Sequence, residues 1–574
     1  MTSEIRTCKN CRSEFTIEPD DFSYYEKIQV PPPGLCPFCR AQQRLIFRNE
    51  RVFYKRPCAR CNKETISIYS PNKPFTVWCS ECWFKFDWDA REFGIDYNPN
   101  KPFFEQWEEV WDKVPKAALL YNSSVNCEYT NLCTENKNCY MVIQSSNNEN
   151  CTHCYWVQKC KDCLDTSFAS ETELSYESDD CYNCYKLFYS KGCHDSRDSF
   201  FLFDCKNCSN CIGCVNLRNK QYHVFNQPLT KEKYEEFLKE ARLDTNAGVE
   251  AIREKFENFL TTQPRRFAEI ISSENSTGNY IKNAKNCLQC FHCYDDVENN
   301  KYGVHIFRGA KDCYDCDVAG RNGELIYNSL TCGLDSSKII ACNRCFSSTN
   351  LEYCTYSLSS NNCLGCDGLV RKEYCILNKQ YTKEEYLSLI GEIRKKIDQE
   401  IGYGNFFPKE LTPFGYNETL AVENFPLTKE EALKQGFKWE DLSRGTFGKE
   451  TIKWENAPDS IKDTEGIDVP KQIFACQSCN KNYLIIPREF EFYKQLQIPL
   501  PRLCPDCRHN RRFKARGPNR TWTRKCMCDY KVFDNTLKHT HHPDGQCPNQ
   551  FETAYSPDRP EIIYCESCYN SEVA

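Results

Sequence analysis

The amino-acid sequence predicts a mostly β, multidomain protein. Two small treble-clef or zinc-ribbon modules at each end flank a duplicated, cysteine-rich β-solenoid with capping helices. Two observations predict this fold class. The chain of 574 residues carries 43 cysteines, and near both ends they form C-x2-C pairs separated by about two to three dozen residues, a pattern typical of metal sites. In the middle they recur about every 21 residues, which is typical of structural repeats.

The chain divides into eight segments by these patterns. They are 1–56, a treble-clef-like zinc module; 57–121, a second zinc ribbon and linker helix; 122–245, the first solenoid half with its end helix; 246–278, a helical linker; 279–402, the second solenoid half with its end helix; 403–470, a connector; 471–520, a treble-clef-like zinc module; and 521–574, a zinc ribbon with a His/Cys insertion.

The first two modules carry four C-x2-C pairs. Structural zinc takes four ligands in a tetrahedron, and each C-x2-C pair presents two thiolates on one tight turn. Taken in order, the pairs predict one site at Cys8, Cys11, Cys36 and Cys39 and a second at Cys58, Cys61, Cys79 and Cys82. The proline within the pair at Cys36 and the Arg-rich run after Cys39 indicate that this pair opens a helix, as in a treble clef.

The carboxyl-terminal modules repeat the amino-terminal ones. Residues 8–40 align with 476–508 through C-x2-C, an apolar stretch and C-P-x-C-R. The third predicted site is therefore Cys476, Cys479, Cys504 and Cys507. The fourth follows from YSPNKPFTVWCSECW (69–83), which matches YSPDRPEIIYCESCY (555–569).

The fourth site has an irregular first pair. Alignment from the shared tyrosines makes Cys547, Cys565 and Cys568 the counterparts of Cys61, Cys79 and Cys82. An insertion precedes Cys547, so either Cys526 or Cys528 supplies the remaining ligand. We favour Cys526, because the basic pair Arg524 and Lys525 precedes it much as Lys55 and Arg56 precede Pro57-Cys58. The spare cysteine and His539, His541 and His542 are expected to be loop residues rather than a partial extra site.

The middle of the chain holds 26 cysteines in two similar halves. Cys139, Cys160 and Cys181 follow one another at the repeat interval, and Cys342 and Cys363 show the same interval. Short repeats rich in Asn, Asp, Ser and aromatic residues, without helical periodicity, favour a β-solenoid with its thiols in an inner ladder. Two alternatives stay open: zinc held between repeats, and an iron–sulfur cluster at the run Cys205, Cys208, Cys211 and Cys214.

The C-x2-C…C-P-x-C-R segments, roughly residues 8–56 and 476–520, resemble a bacterial family of small zinc-binding ribbons of treble-clef type. The whole chain resembles uncharacterised zinc-ribbon proteins of candidate-phyla bacteria. The resemblance implies the architecture and a cytoplasmic setting, and it assigns no catalytic residue. About four zinc ions are expected as cofactors.

The net charge of −6 conceals two basic segments. Residues 40–56 hold six Lys/Arg against one acid, and residues 502–531 hold ten against two. These segments interleave arginines with aromatic residues, a pattern that favours phosphate contacts and base stacking. The candidate nucleic-acid residues are Arg44, Arg48, Arg51, Arg511, Arg512, Lys514, Arg516, Arg520, Trp522 and Arg524.

The predicted function is non-catalytic zinc and nucleic-acid binding, with RNA or a ribonucleoprotein as partner. No nucleotide-binding, metalloprotease or hydrolase motif occurs, and fully thiolate-ligated zinc leaves no open position for a catalytic water, so the sequence leans away from an enzyme. A simpler alternative is that the arginines form a solvated helix face or pair with the acidic solenoid. Two further alternatives are a protein-interaction scaffold on that solenoid, and a metal-handling or redox protein using the central cysteines. No apolar run is long enough to span a membrane, no secretory signal is evident, and cysteine pairs favour a reducing cytoplasm.

Overall fold

A computed structural model of the chain describes residues 2–442, 445–533, 535, 537–542 and 544–573. Within these residues the protein is a mixed, sheet-rich chain with cysteine clusters near both ends. The α-helices of the described part are Pro19–Ile28, Pro37–Leu45, Ser80–Trp83, Phe103–Lys113, Lys231–Glu240, Asn246–Thr261, Lys383–Ile401, Ala421–Asn424, Lys429–Lys434, Pro487–Leu496, Pro505–Arg516 and Glu566–Val573. Among them, none combines the length and apolarity that crossing a membrane requires.

The terminal modules are built on short antiparallel hairpins. Their strands pair as Glu4–Thr7 with Glu14–Ile17, Tyr54–Pro57 with Glu64–Ser67, Ile473–Ala475 with Asn482–Leu484, and Trp522–Lys525 with Gln550–Thr553. Two short parallel pairs join modules to the chain ahead of the central regions: Val77–Trp78 with Lys116–Ala117, and Ile563–Tyr564 with Arg265–Arg266. The two ends of the molecule therefore repeat one another in strand pairing as well as in sequence.

The first central region, residues 121–228 and here called the first stack, consists of short parallel strands laid on one another. Its strands are Tyr121–Asn122, Cys133–Thr134, Tyr155–Gln158, Ser167–Ser170, Tyr185–Phe188, Arg197–Phe200, Ser209–Ile212 and Gln221–Val224, closed by the antiparallel Gln227–Pro228. Each strand pairs with the equivalent residues of the next turn, as Tyr185 does with Arg197. One turn of the chain takes 12 residues, which is also the separation of Asn183 and Asp195, hydrogen-bonded across adjacent turns. Isolated parallel bridges extend this register through the rest of the stack.

The second stack, residues 270–380, is a sheet of eleven strands. They are Ile270–Ile271, Gly278–Lys285, Cys290–Glu298, Val304–Phe307, Lys311–Gly320, Glu324–Gly333, Ser337–Ile340, Thr349–Glu352, Asn361–Leu364, Glu373–Ile376 and Lys379–Gln380. Its central turns take 13 residues, the separation of the hydrogen-bonded Asn322 and Asp335. Its last turns take 12 residues, as between Asn350 and Asn362.

Each turn of a stack bends at intervals of three residues, and the resulting three-residue side is the unit of both stacks. Residues three apart adopt a positive φ, such as Asn138 at 54°, Met141 at 53° and Asn147 at 58°, and asparagine tolerates this conformation better than most residues. One residue of each side points inward and is buried, as Cys151 and Cys154 do. The structural repeat is therefore a single turn, which is shorter than the repeat that the cysteine intervals suggested. Cysteines recur about every 21 residues because 21 is also a multiple of three, so that both cysteines of such a pair, for example Cys139 and Cys160, stand at inward positions.

The inward thiols satisfy backbone carbonyls. Cys154 Sγ lies 3.3 Å from the carbonyl oxygen of Thr152 and 3.5 Å from that of Cys163. Thr166, at an equivalent inward position, donates its hydroxyl to two carbonyls in the same way. A small side chain with one weak donor fits this tight interior, and no disulfide joins the described cysteines. The inward thiols therefore have hydrogen-bond partners within the stack itself.

Helices close the stacks and connect them. Lys231–Glu240 packs on the last strand pair of the first stack and Lys383–Ile401 on that of the second. The latter begins with a capping box formed by Thr382 and Glu385, which the T-x-x-E spacing in the sequence predicts. Asn246–Thr261 links the two stacks. The connector contains the α-helices Ala421–Asn424 and Lys429–Lys434 and the 3-10 segments Lys409–Leu411, Tyr416–Glu418, Ile461–Thr464 and Val469–Lys471. One further 3-10 segment of the described part, Ala90–Phe93, precedes α-helix Phe103–Lys113.

The terminal modules dock crosswise on the stacks. Helix Pro37–Leu45 of the amino-terminal module packs on strands Lys311–Gly320 and Glu324–Gly333 of the second stack. The carboxyl-terminal module instead packs on the first stack, where Tyr493 meets Tyr176 with ring centroids 5.6 Å apart. Each module thus covers the stack that lies farther from it along the chain.

Candidate metal centres and the cavity between the modules

Sixteen cysteines come together in the four predicted sets. In each set the four Sγ atoms lie within 4.8 Å of one another. The sets are Cys8, Cys11, Cys36 and Cys39; Cys58, Cys61, Cys79 and Cys82; Cys476, Cys479, Cys504 and Cys507; and Cys526, Cys547, Cys565 and Cys568. Four sulfurs at this separation can hold a zinc ion or another thiophilic metal.

One hydrogen bond recurs in all four sets. The backbone N–H of the third cysteine donates to the Sγ of the first, at 3.1–3.2 Å. A second recurring bond runs from the N–H of the first cysteine to the carbonyl two residues beyond the second, as from Cys58 to Lys63. In the fourth set it runs from Cys526 to Asn549, two residues beyond Cys547. The geometry therefore places Cys526 and Cys547 where a regular C-x2-C pair stands in the other modules.

Helix starts and hydrogen-bond donors favour the thiolate form of individual cysteines in these sets. Cys36 precedes helix Pro37–Leu45, and its hydrogen bond with Cys39 lowers the pKa of Cys36 to about 6. Burial raises the pKa of Cys58, but the N–H groups of Cys79, Cys61 and Arg60 outweigh it and lower that pKa to about 6. In the fourth set the hydrogen bond with Cys526 lowers the pKa of Cys565 to about 3. The pKa of a partner thiol in each of these sets is raised, as burial raises the pKa of Cys79 to about 12, so at least one thiol of each set loses its proton readily while that partner needs a metal to lose its own.

A fifth group lies beside the fourth set. Cys528, His539 and His542 fall within 4.8 Å of one another and of Cys568, and all four are buried. From the sequence alone, the spare cysteine and the histidines of this insertion are expected to be loop residues. The structure instead gathers three of them around a sulfur that already belongs to the fourth set. Their irregular spacing gave no recognisable signal.

Half of the eight arginines proposed for nucleic-acid contact are buried in ion pairs. Arg44, Arg48, Arg512 and Arg516 are each at most 7% exposed. Arg44 Nε lies 2.7 Å from Asp317 Oδ2 of the second stack. Arg512 and Arg516 pair with Asp165 and Asp180 of the first stack, and Arg511 pairs with Glu177.

Two further arginines, which are not among the residues predicted from the sequence, form the same kind of buried ion pair. Arg40 Nη2 lies 2.8 Å from Asp315 Oδ2, and Arg508 Nε lies 2.7 Å from Asp165 Oδ2. Both are the arginine of the C-P-x-C-R motif, so the repeated motif itself was the available signal. These ion pairs correct the expectation of an open basic face. The helices direct most of their arginines to the stacks, which matches the alternative of pairing with the acidic solenoid.

The remaining candidates are more accessible. Lys514 and Arg520 are exposed, and Arg51, Trp522 and Arg524 are partly exposed. Arg520 lies over two aromatic rings, with its Cζ 4.7 Å from the Phe38 centroid and 5.2 Å from the Trp522 centroid. Arg524 donates to the carbonyl oxygen of Ser556 at 3.2 Å.

A cavity of about 250 Å³ lies where the first, third and fourth modules meet the connector and both stacks. Its lining includes Phe38 and Trp522 from the modules and Phe168 and His292 from the stacks. Aromatic rings are layered beside it: His292 and His305 stack with centroids 4.7 Å apart, and Trp156 stacks on His305 at 4.0 Å. Burial, followed by the charge of Arg516, holds the pKa of His292 well below its usual range, so the imidazole is neutral.

Four of the ten predicted nucleic-acid residues line this one cavity: Arg48, Arg516, Arg520 and Trp522. Arg516 is occupied, with its Cζ 3.5 Å from the Phe168 centroid and its Nη1 on Asp180. Arg48 pairs with Glu50 through Nε, but its buried Nη2 has no hydrogen-bond partner. No protein-family model matches the chain, and a search of curated proteins found no match.

Proposed function

We propose that this protein binds RNA by accepting an unpaired base and its phosphate in the cavity between the modules. The frame is non-catalytic: two β-solenoids held by four zinc ions in treble-clef or zinc-ribbon modules. The solenoid assignment is supported by parallel strands that pair in register from one turn to the next. The treble-clef assignment is supported by a hairpin followed by a helix that starts at the second cysteine pair, in keeping with the family resemblance.

The observation that carries the proposal is the convergence of both basic segments on one cavity. Arg48 comes from the amino-terminal segment, and Arg520 and Trp522 come from the carboxyl-terminal one. Aromatic faces can stack on any base, and a stacked base contributes about 1–3 kcal/mol of binding free energy. Trp522 and Phe38 supply such faces, whereas the ring of His292 is already stacked on Tyr280 and His305 and forms part of the cavity wall.

Polar groups in the cavity suit the rest of a nucleotide. The buried Arg48 Nη2 is a donor without a partner, and a base carbonyl or phosphate oxygen would satisfy it. The exposed Arg520 guanidinium stands at the same cavity and can meet a phosphate. Because most other arginines are already paired, we expect few phosphate contacts and a shallow dependence of affinity on salt.

The test is fluorescence anisotropy with a labelled 12-nucleotide single-stranded RNA of mixed sequence. Trp522→Ala is expected to weaken binding by roughly tenfold, the loss of one stacked base. Lys514→Ala is the matched control, because Lys514 is exposed and basic but does not line the cavity, and it should change affinity by less than about twofold. Equal affinities for both variants and the wild type would contradict the cavity as the binding site.

A second candidate function is a rigid scaffold for a protein partner. It is favoured by the buried ion pairs, because they join the arginines of the modules to acidic residues of the stacks. Rows of polar side chains remain exposed on the surface of the first stack. Two such rows contain the pairs of Lys137 with Glu149 and of Lys159 with Glu171, each formed across one 12-residue turn. Absence of RNA binding, together with a captured protein that is lost on Lys137→Glu/Lys159→Glu substitution, would support this candidate over the first.

A further inference from the structure

The insertion in the fourth module places three additional metal-ligating groups beside the fourth cysteine set. Cys528 Sγ lies 3.5 Å from His539 Nδ1, and His539 Nδ1 lies 3.2 Å from His542 Nε2. His542 Nε2 in turn lies 3.2 Å from Cys568 Sγ. The second module, which lacks the insertion, has only its four cysteines at the equivalent place.

We propose that the fourth module holds two metal ions bridged by the thiolate of Cys568. The first ion takes Cys526, Cys547, Cys565 and Cys568, and the second takes Cys528, His539, His542 and Cys568. A thiolate sulfur has several lone pairs and can bind two metals at once. Sets of four sulfurs and of two sulfurs with two imidazoles are both ligand sets that tetrahedral zinc uses.

The distances agree with two tetrahedra that share one corner. Zinc–sulfur bonds of about 2.3 Å and zinc–nitrogen bonds of about 2.0–2.1 Å give tetrahedral edges of about 3.7–3.8 Å between sulfurs and about 3.3–3.4 Å between nitrogens. Cys526 Sγ lies 3.7 Å from Cys568 Sγ, on the first set's side. The second set has its two histidine nitrogens 3.2 Å apart. Cys568 Sγ therefore stands at ligand distance from members of both sets.

The surroundings of the second set are those of a metal site. His539 turns its Nδ1 toward the other ligands, while its Nε2 lies 2.8 Å from Glu572 Oε1. A carboxylate on the far nitrogen fixes the orientation of a metal-bound imidazole and raises its basicity. Asn535 Nδ2 donates to Cys528 Sγ at 3.2 Å, which stabilises a thiolate. The Nε2 of the neighbouring His541 lies 3.2 Å from Cys568 Sγ, 3.6 Å from Cys547 Sγ and 3.9 Å from Cys565 Sγ, and we assign it the role of a hydrogen-bond donor to the thiolates of the fourth set.

Zinc analysis of the purified full-length chain tests the number of ions. We expect five equivalents in the wild type. Cys568→Ser should lose two, whereas the matched Cys82→Ser, at the aligned position of the second module, should lose one. His542→Ala should lose one and keep the fourth set intact. Loss of a single equivalent in Cys568→Ser together with no loss in His542→Ala would overturn the proposal.

Cadmium-113 exchange tests the bridge in the unmodified protein, so that no variant has to fold. Two ions that share a thiolate show scalar coupling between their resonances. We expect one coupled pair among the five resonances of the wild type. Five resonances without any coupling, or four resonances in total, would overturn the shared ligand.

Discussion

The terminal modules and the central stacks use the same cysteine spacing for different chemistry. In the modules, sulfurs of different pairs face one another, as Cys479 Sγ and Cys504 Sγ do at 3.8 Å. In the stacks, a thiol faces backbone carbonyls, as Cys154 does. A C-x2-C pair in a stack only marks two successive three-residue sides. Spacing by itself therefore does not identify a candidate metal site; four sulfurs that all lie within 4.8 Å of one another do.

Loss of a metal should separate the two regions most sharply. We expect Cys476→Ser/Cys504→Ser to remove one zinc equivalent and to lower the free energy of unfolding by more than about 5 kcal/mol, because structural zinc supplies much of the folding energy of such modules. Cys208→Ser in the first stack should keep all zinc and cost about 1 kcal/mol or less. Metal analysis and urea unfolding measure both effects. Zinc loss from Cys208→Ser would show that the stacks also bind metal.

Breaking an ion pair between a module and a stack should cause the second largest loss of stability. Arg508→Ala removes a guanidinium that lies 2.7 Å from the buried Asp165 and 2.9 Å from the buried Glu489, and leaves Asp165 with Arg512 at 3.2 Å. Breaking a buried ion pair from one side costs about 3–5 kcal/mol. Lys514→Ala on the same helix is exposed and should cost less than about 0.5 kcal/mol. Equal urea midpoints for the two variants would argue against a docking role for the arginine.

Inside a stack, the size of an inward side chain should affect stability more than whether its hydrogen-bond donor is a thiol or a hydroxyl. Cys354 Sγ lies 3.4 Å from the carbonyl oxygen of Glu352 and is fully buried. Cys354→Val adds volume without a donor and should destabilise by about 1–3 kcal/mol. Cys354→Ser keeps the donor, as Ser357 does at the next inward position, and should cost less. Chemical unfolding gives the order, and a serine variant less stable than the valine variant would contradict it.

The smallest expected effect is a pH dependence at the junction. Burial raises the pKa of Glu177, but the charges of Arg511, Arg253 and Arg512 outweigh it and lower that pKa to about 2, against an ordinary 4.5. Its contribution is therefore complete above about pH 4.5 and is lost as the pH falls toward 2. We expect the wild type to exceed Glu177→Gln by about 1–2 kcal/mol at pH 7 and by less near pH 3. A difference that grows on acidification would contradict this sign.

Sequence reasoning reached the features that local chemistry dictates. The four cysteine sets follow from ligand number and alignment, and the capping box at Thr382 follows from residues three apart. The three-residue side was hidden, because the cysteines mark only some of the inward positions. The ion pair of Arg44 with Asp317 spans 273 residues and leaves no local signal. His539 and His542 come to Cys568 through an irregular insertion, which no spacing rule describes.

Crosswise docking sets an order for biosynthesis. The amino-terminal module emerges from the ribosome before its acceptor Asp317 has been translated, and at about 5–20 residues per second the delay for Arg44 is roughly 15–55 seconds. The carboxyl-terminal module meets the opposite situation, since Arg512 reaches Asp165, which was synthesised 347 residues earlier. Separating the chain between the stacks would leave each fragment with a module whose acceptor lies on the other fragment. The two fragments are accordingly expected to assemble as a complementing pair rather than to mature independently.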